Sequence, residues 1–229
     1  GIEKKSFPYS LCMTNLILHE VDEPKIYQDN SLNKNVRELK DADMCDVILM
    51  NPPYGGTEDE IIQMNFPQEF RASETADLFM AVIMYRLKKN GRAAVILPDG
   101  FLFGLDNAKV ALKKKLLKEF NLHTIIRMPG SVFAPYTSIT TNILFFDRTG
   151  ATEETWFYRM DMPAGRKAFN KTNPIALKDL APVKEWWGDR KVIEDGKKSE
   201  DSAITYKSKN YTAEEIADHG YNLDLCGFP

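Results

Sequence analysis

Four consecutive residues, Asn51-Pro52-Pro53-Tyr54, have the types and spacing to do chemistry in this 229-residue chain. The Asn51 side chain offers a carbonyl oxygen that accepts hydrogen bonds. Two successive prolines fix the backbone and present carbonyls without competing amide hydrogens. Tyr54 then holds a flat aromatic face on a stiff turn. The set suits a planar group bearing an exocyclic amine, with two acceptors for the NH2 and a ring for stacking. A Pro-Pro pair alone is an ordinary exit from a strand into a loop. Here it follows Asp46-Val47-Ile48-Leu49-Met50, a β-branched run apolar on both faces that reads as a buried parallel strand. In an open parallel sheet, ligands bind beyond the carboxyl ends of the strands, and Asn51 stands at such an end.

The elements that must hold this site are set by periodicity. Residues 8–20 read as a helix, with a short strand at 25–28. After a loop over 57–72, Thr75 to Lys89 is strongly helical, with Asn90-Gly91 as its C-cap. Ala93 to Leu97 is a second buried strand, ended by Pro98-Asp99-Gly100, in which Asp99 suits a turn. A helix over Asp106 to Glu119 carries Lys113, Lys114, Lys115 and Lys118 toward its C-terminal end. There the cations complement the helix dipole and read as a solvated face, with phosphate contact by these lysines or Lys197 and Lys198 as the alternative. Strands at Leu122–Met128, Thr141–Asp147 and Thr155–Tyr158 complete residues 1–160. This alternation predicts an α/β core with a mostly parallel sheet. Residues 161–229 are polar and Pro/Gly-punctuated, and read as an irregular extension with one amphipathic helix, Thr212 to Asp218, capped by Thr212.

Composition bounds the function. The chain is 43% hydrophobic and 28% charged, an ordinary globular balance that excludes a largely disordered chain. No apolar run approaches the roughly 20 residues of a membrane span. Cys12, Cys45 and Cys226 lie far apart, so neither a zinc site nor a disulfide framework is expected, and no other metal; a reducing, cytoplasmic setting fits. The net charge of -3 provides no global positive field for nucleic acid.

The tetrapeptide after a hydrophobic strand resembles the signature of amino-methyltransferases that use S-adenosylmethionine: Asp, Asn or Ser, then Pro-Pro and an aromatic residue. The flanks narrow the resemblance. Gly1 to Lys5, Leu11 to Leu16, Asp29 to Leu32, Arg92 to Phe103, Phe133 to Thr137, Thr141 to Phe146 and the tail Gly220 to Asp224 are similar to the modification subunit of type I restriction systems. That family transfers a methyl group to N6 of adenine in DNA. The resemblance implies a partial Rossmann-like class I S-adenosylmethionine-dependent methyltransferase fold. It implies Asn51, Pro52, Pro53 and Tyr54 as the catalytic set, and Glu3, Asp29 and Asn51 as cofactor-binding residues. Tyr54 and Phe133 would enclose the target base. Plainer roles stay open: a surface Glu3, an Asx-turn at Asp29, a core Phe133.

The implied mechanism is direct methyl transfer. Adenine's N6 lone pair delocalises into the ring, so acceptors for both N–H groups, Asn51 Oδ1 and the Pro52 carbonyl, draw the nitrogen toward a more nucleophilic state. A duplex hides this amine, so the base must be flipped out and stacked on Tyr54. The partners implied are double-stranded DNA, a specificity subunit, a restriction subunit and a second modification subunit. A protein-glutamine or RNA methyltransferase and a catalytically dead assembly module are the alternatives.

One family feature is missing. No Asp-Pro-x-x-Gly-x-Gly-Gly loop, which would hold the cofactor, exists in these residues, nor the helical region and aromatic loop that precede it. The chain begins where the second strand of such a domain should end, so it is expected to be the C-terminal part of a catalytic domain. The isolated 229 residues should then show no measurable heat on calorimetric titration with S-adenosylmethionine; micromolar binding would contradict this.

Overall fold

Strand alternation decides how the central sheet is covered on its two sides. In β6 (Thr141–Asp147), Leu144 and Phe146 join one core and Ile143 and Phe145 the other. In β7 (Glu154–Arg159), Phe157 joins the first and Trp156 and Tyr158 the second. The first core is completed by α3 (Thr75–Arg86) and α5 (Asn107–Glu119), through Leu78, Ile83, Leu112 and Leu116. The second is completed by Trp186 of α6 (Ala181–Gly188).

The computed structural model describes residues 1–198 and 204–227. Among these, seven strands form one sheet in the order β3-β4-β6-β5-β7-β9-β8. The remaining members are β3 (Cys45–Met50), β4 (Leu87–Pro98), β5 (Asn121–Arg127), β8 (Ile193–Lys198) and β9 (Ile204–Thr212). A separate parallel pair joins β1 (Ile2–Glu3) to β2 (Tyr27–Gln28), with α1 (Ser6–Leu18) between them in sequence. Among the described residues, no helix is long and apolar enough to cross a membrane.

The α/β class agrees with the sequence, but the sheet is mixed rather than mostly parallel. Within it β3–β4 and β5–β7 pair parallel, whereas β4–β6, β5–β6, β7–β9 and β8–β9 are antiparallel. A parallel neighbour needs a crossover, which α3 supplies between β3 and β4. Between β5 and β6 there is only the loop 128–140, so the chain turns back and β6 inserts between β4 and β5. The polar C-terminal region also enters the sheet: β9 pairs with β7, and β8 lies outside it. After β9, Thr212 caps α7 (Ala213–Asp218) in a reciprocal box, its Oγ1 accepting from Glu215 N at 3.1 Å.

Three local expectations change. The strand at 46–50 is parallel to β4 but not buried on both faces. It lies at the sheet's edge, with Val47 51% and Leu49 78% exposed. The helix expected to reach Lys89 ends at Arg86, because Leu87 is already extended and pairs with Cys45. Asn90-Gly91 therefore bends β4 instead of capping a helix. Asn90 takes a φ of 63°, and a Cβ on Gly91 would sit 2.9 Å from the Lys88 carbonyl oxygen.

The lysine run is not one solvated face. Lys114 and Lys118 are exposed, but Lys113 has no solvent exposure. Its ammonium donates to the carbonyls of Leu102 (3.0 Å) and Gly104 (2.7 Å), which end α4 (Asp99–Phe103). Those carbonyls are the groups a helix C-terminus leaves unpaired. One turn earlier, Lys109 pairs with Glu74 (2.7 Å), Asp77 (2.9 Å) and Asp106 (3.2 Å). The alternative of phosphate contact is thus closed to Lys113, and the side chains of Lys197 and Lys198 lie outside the described residues.

Burial pushes Lys113 down from 10.5 to about 8. Between those values the unfolded chain holds a proton that the folded chain has released, so this residue's contribution to stability rises with pH. Denaturant unfolding of the protein at pH 7.5 and 9 should show it gaining about 1 kcal/mol relative to Lys113→Met. Parallel pH responses of the two would contradict the burial of a charged Lys113.

Candidate functional site

β3 ends at Met50 opposite Val95, and the chain leaves the sheet through Asn51-Pro52-Pro53-Tyr54. Pro52 is buried, while Asn51 and Pro53 are exposed and Tyr54 is half-buried. Two glycines after Tyr54 let the exit take its path. Gly55 adopts a φ of +68°, which an L side chain strains to reach. A Cβ on Gly56 would lie 2.7 Å from Thr75 Oγ1, so the loop needs glycine to lie against the start of α3. Thr75 N donates to the Gly56 carbonyl (2.9 Å), and Glu58 N to the Ser73 carbonyl (3.0 Å).

These residues line a pocket of about 590 Å³ beyond the carboxyl end of β3. Its aromatic wall is Tyr54 and Phe133, with ring centroids 6.2 Å apart and planes at 71°. The lining also includes Glu3, Lys4 and Lys5 at the end of β1, with Asn30 and Glu58. Glu58 accepts from Asn30 Nδ2 at 3.3 Å and pairs with Lys4 at 3.6 Å. Glu3 Oε1 accepts from Lys5 N at 2.8 Å. The Tyr54 hydroxyl donates to Asn51 Oδ1. That carbonyl oxygen has a second lone pair for another donor. Burial pushes the Tyr54 hydroxyl up to about 12, so the phenol is neutral across the physiological range.

The pocket thus gathers Glu3, Asn51, Pro52, Pro53, Tyr54 and Phe133, residues up to 130 positions apart in sequence. Asp29 is not among its lining residues. Its Oδ1 accepts from Asn30 N (2.7 Å) and Asn33 Nδ2 (2.6 Å), the turn geometry available to such a residue. The wall beside it is Asn30 and Ser31. Sequence reasoning also passed over Glu58, which lies in a stretch with no periodic signal, and Tyr136, which lines the same pocket at 92% exposure. A second hollow of about 590 Å³ adjoins the first through Ile2, Ser31 and Phe79, and runs along Ile48, Met50 and Ile83.

Residues 1–227 match the sequence profile of the family described as N-6 DNA Methylase. The chain is 43% identical over 226 residues to the type I restriction enzyme EcoEI methylase subunit of Escherichia coli, covering 98% of this chain and 44% of the relative. Among solved structures it resembles a modification subunit assigned to a type I restriction enzyme from Vibrio vulnificus YJ016, with a TM-score of 0.84 and 42% identity over 98% of this chain and 46% of that one. The EcoKI M protein, at 24% identity and a TM-score of 0.79, shares the fold over 98% of this chain and 52% of its own. The chain therefore spans about half the length of the relatives it matches.

Tyr54 and Phe133 are half-buried beside an open pocket, not packed in either core. Tyr54→Ala and Phe133→Ala should each shift stability by no more than about 1 kcal/mol in denaturant unfolding. A loss of about 3 kcal/mol or more would mark them as core aromatics instead.

Proposed function

This chain belongs to the N-6 DNA methylase family, and on that footing we propose that it forms part of a type I modification subunit that methylates N6 of adenine in double-stranded DNA. The observation that carries the reading is the meeting of Asn51-Pro52-Pro53-Tyr54 with Phe133 in one pocket beyond the carboxyl end of β3. The pocket's volume lies within the range of small-molecule sites, and its chemistry is divided as the reaction needs. The Glu3 carboxylate suits hydroxyl or amine donors of S-adenosylmethionine, and the Tyr54 and Phe133 rings suit a flat heterocycle. When bound, that cofactor supplies an electrophilic methyl group on a sulfonium sulfur.

The chain's own residues do the rest. Asn51 Oδ1, already accepting from Tyr54, uses its free lone pair for one N–H of the target amine, and the Pro52 carbonyl takes the other. Two acceptors localise the nitrogen lone pair; the prolines fix the backbone that carries the Pro52 carbonyl and the Tyr54 hydroxyl orients Asn51 Oδ1, so positioning supplies much of the effect. The Tyr54 ring stacks on the extruded base, with Phe133 closing the opposite side. Because the phenol stays neutral, no charge forms on this wall between pH 6 and 9. The cofactor contacts of Glu3, and of Asp29 from outside the wall, belong to the same reading. So do a specificity subunit that reads the DNA sequence, a restriction subunit and a second modification subunit. The net charge of -3 accords with sequence reading being done elsewhere.

In the complete enzyme, Asn51→Ala should reduce methyl transfer from labelled S-adenosylmethionine to cognate duplex by about 100-fold or more, with the melting temperature unchanged. Near-normal transfer by that variant would refute the assignment.

A further inference from the structure

The loop 128–140, which carries Phe133 and Tyr136, leaves β5 directly after Arg127. Arg127 is 1% exposed. Its guanidinium contacts three separate parts of the chain. Nη2 donates to Asp99 Oδ1 at 3.0 Å, at the first turn of α4. Nε donates to Asn142 Oδ1 at 3.3 Å, at the start of β6, and Asn142 Nδ2 donates in turn to Asp99 Oδ1 at 2.6 Å. Nη1 pairs with Asp224 Oδ1 at 2.7 Å and donates to the Gly227 carbonyl at 2.7 Å, both in the tail after α7. The backbone closes around the same point. Met128 N donates to the Thr141 carbonyl (2.9 Å), and Asp99 N to the Thr140 carbonyl (3.2 Å), so both ends of the loop are tied beside this guanidinium.

We infer that Arg127, held by Asp99, Asn142 and Asp224, is a positioning residue for the target-base loop, and that the C-terminal tail sets the geometry of the base pocket through it. The inference rests on the reaction assigned above. A buried cation with two carboxylates adds little net stability over apolar packing of the same volume, but it fixes direction, because each N–H is committed to one acceptor. The direction fixed here is that of the strand end from which Phe133 is suspended. The stakes of that placement are visible in the pocket. Tyr54 and Phe133 meet edge-on, at 71°, so a flat base cannot stack on both until one ring turns. Tyr54 is tied to its wall by its hydroxyl bond to Asn51 and by the bond from Thr75 N to the Gly56 carbonyl, which leaves the Phe133 side to open and reclose in register. Asp224 also gives a role to Gly220–Asp224, a segment whose resemblance to the family carried no chemistry of its own.

The test uses the complete enzyme with Asp224→Asn, which keeps the shape and removes the charge, and Asp224→Glu, which restores it. Rates are taken per cofactor-binding site, and base extrusion is followed by the emission of 2-aminopurine at the target position. Asp224→Asn should slow single-turnover methylation about tenfold and weaken the 2-aminopurine signal, with S-adenosylmethionine affinity within about twofold of wild type, and Asp224→Glu should recover most of the loss. An unchanged rate per site, or cofactor affinity falling in parallel with rate, would overturn the inference. Should Asp224→Asn not fold, Asp99→Asn carries the same readouts; if neither folds, the network is scaffold and the inference fails. A wild-type enzyme that transfers no methyl group to adenine overturns the assigned reaction together with this inference, whereas active wild type with indifferent Asp224 variants overturns this inference alone.

Discussion

A guanidinium removed from water must be given acceptors, and the acceptors given to Arg127 gather the ends of β4 and β5, the start of β6 and the tail at one point. Asp99 can reach it only because β4 ends there and α4 begins. Asn142 can reach it only because β6 inserts between β4 and β5. The tail reaches it after α7, capped by Thr212, along a path on which Leu223 N donates to the Leu102 carbonyl at 3.0 Å. Lys113 plays the matching part at the other end of α4, taking up the carbonyls of Leu102 and Gly104. This five-residue helix is thus fastened at both ends by buried cations, through a carboxylate at its start and carbonyls at its end.

The two aromatic walls of the pocket are fixed by different means. Tyr54 is held by short-range means: two prolines that fix the backbone before it, its hydroxyl bond to Asn51, and the bond from Thr75 N to the Gly56 carbonyl just after it. Such constraints are local and survive wherever the short segment goes. Phe133 is held by long-range polar bonds converging on the root of its loop. One wall resembles a fixed jaw, the other a jaw whose hinge is built from distant parts of the chain.

That difference explains what could be read from sequence. Locally encoded features were legible. The tetrapeptide after an apolar strand, the bounds of β6 at Thr141 and Asp147, and the Thr212 cap all rest on neighbours within a few positions. Strand direction was not, because a strand buried on both faces carries the same apolar run whether its neighbour is parallel or antiparallel. The burial of Lys113 was hidden for a similar reason. Its acceptors are main-chain carbonyls, which have no signature in residue type. β8 and β9 lie at the end of the sheet, where polar residues are tolerated, so their composition looked irregular. Glu3, Asn51, Tyr54 and Phe133, distant in sequence, line one pocket; Asp29 is outside its lining, with Oδ1 accepting within its own turn.

The bond from Arg127 to Gly227 spans 100 positions, and this separation has a kinetic meaning. Contacts so distant in sequence close late, after the entropy of the intervening loop has been lost. During synthesis β4, β5, β6 and β7 can all form while Arg127 still lacks Asp224 and Gly227. The residues made after α7 then supply these two acceptors. Synthesis of that tail and completion of the base pocket become one event, so a chain interrupted or clipped before Asp224 would hold a sheet without holding its loop in register.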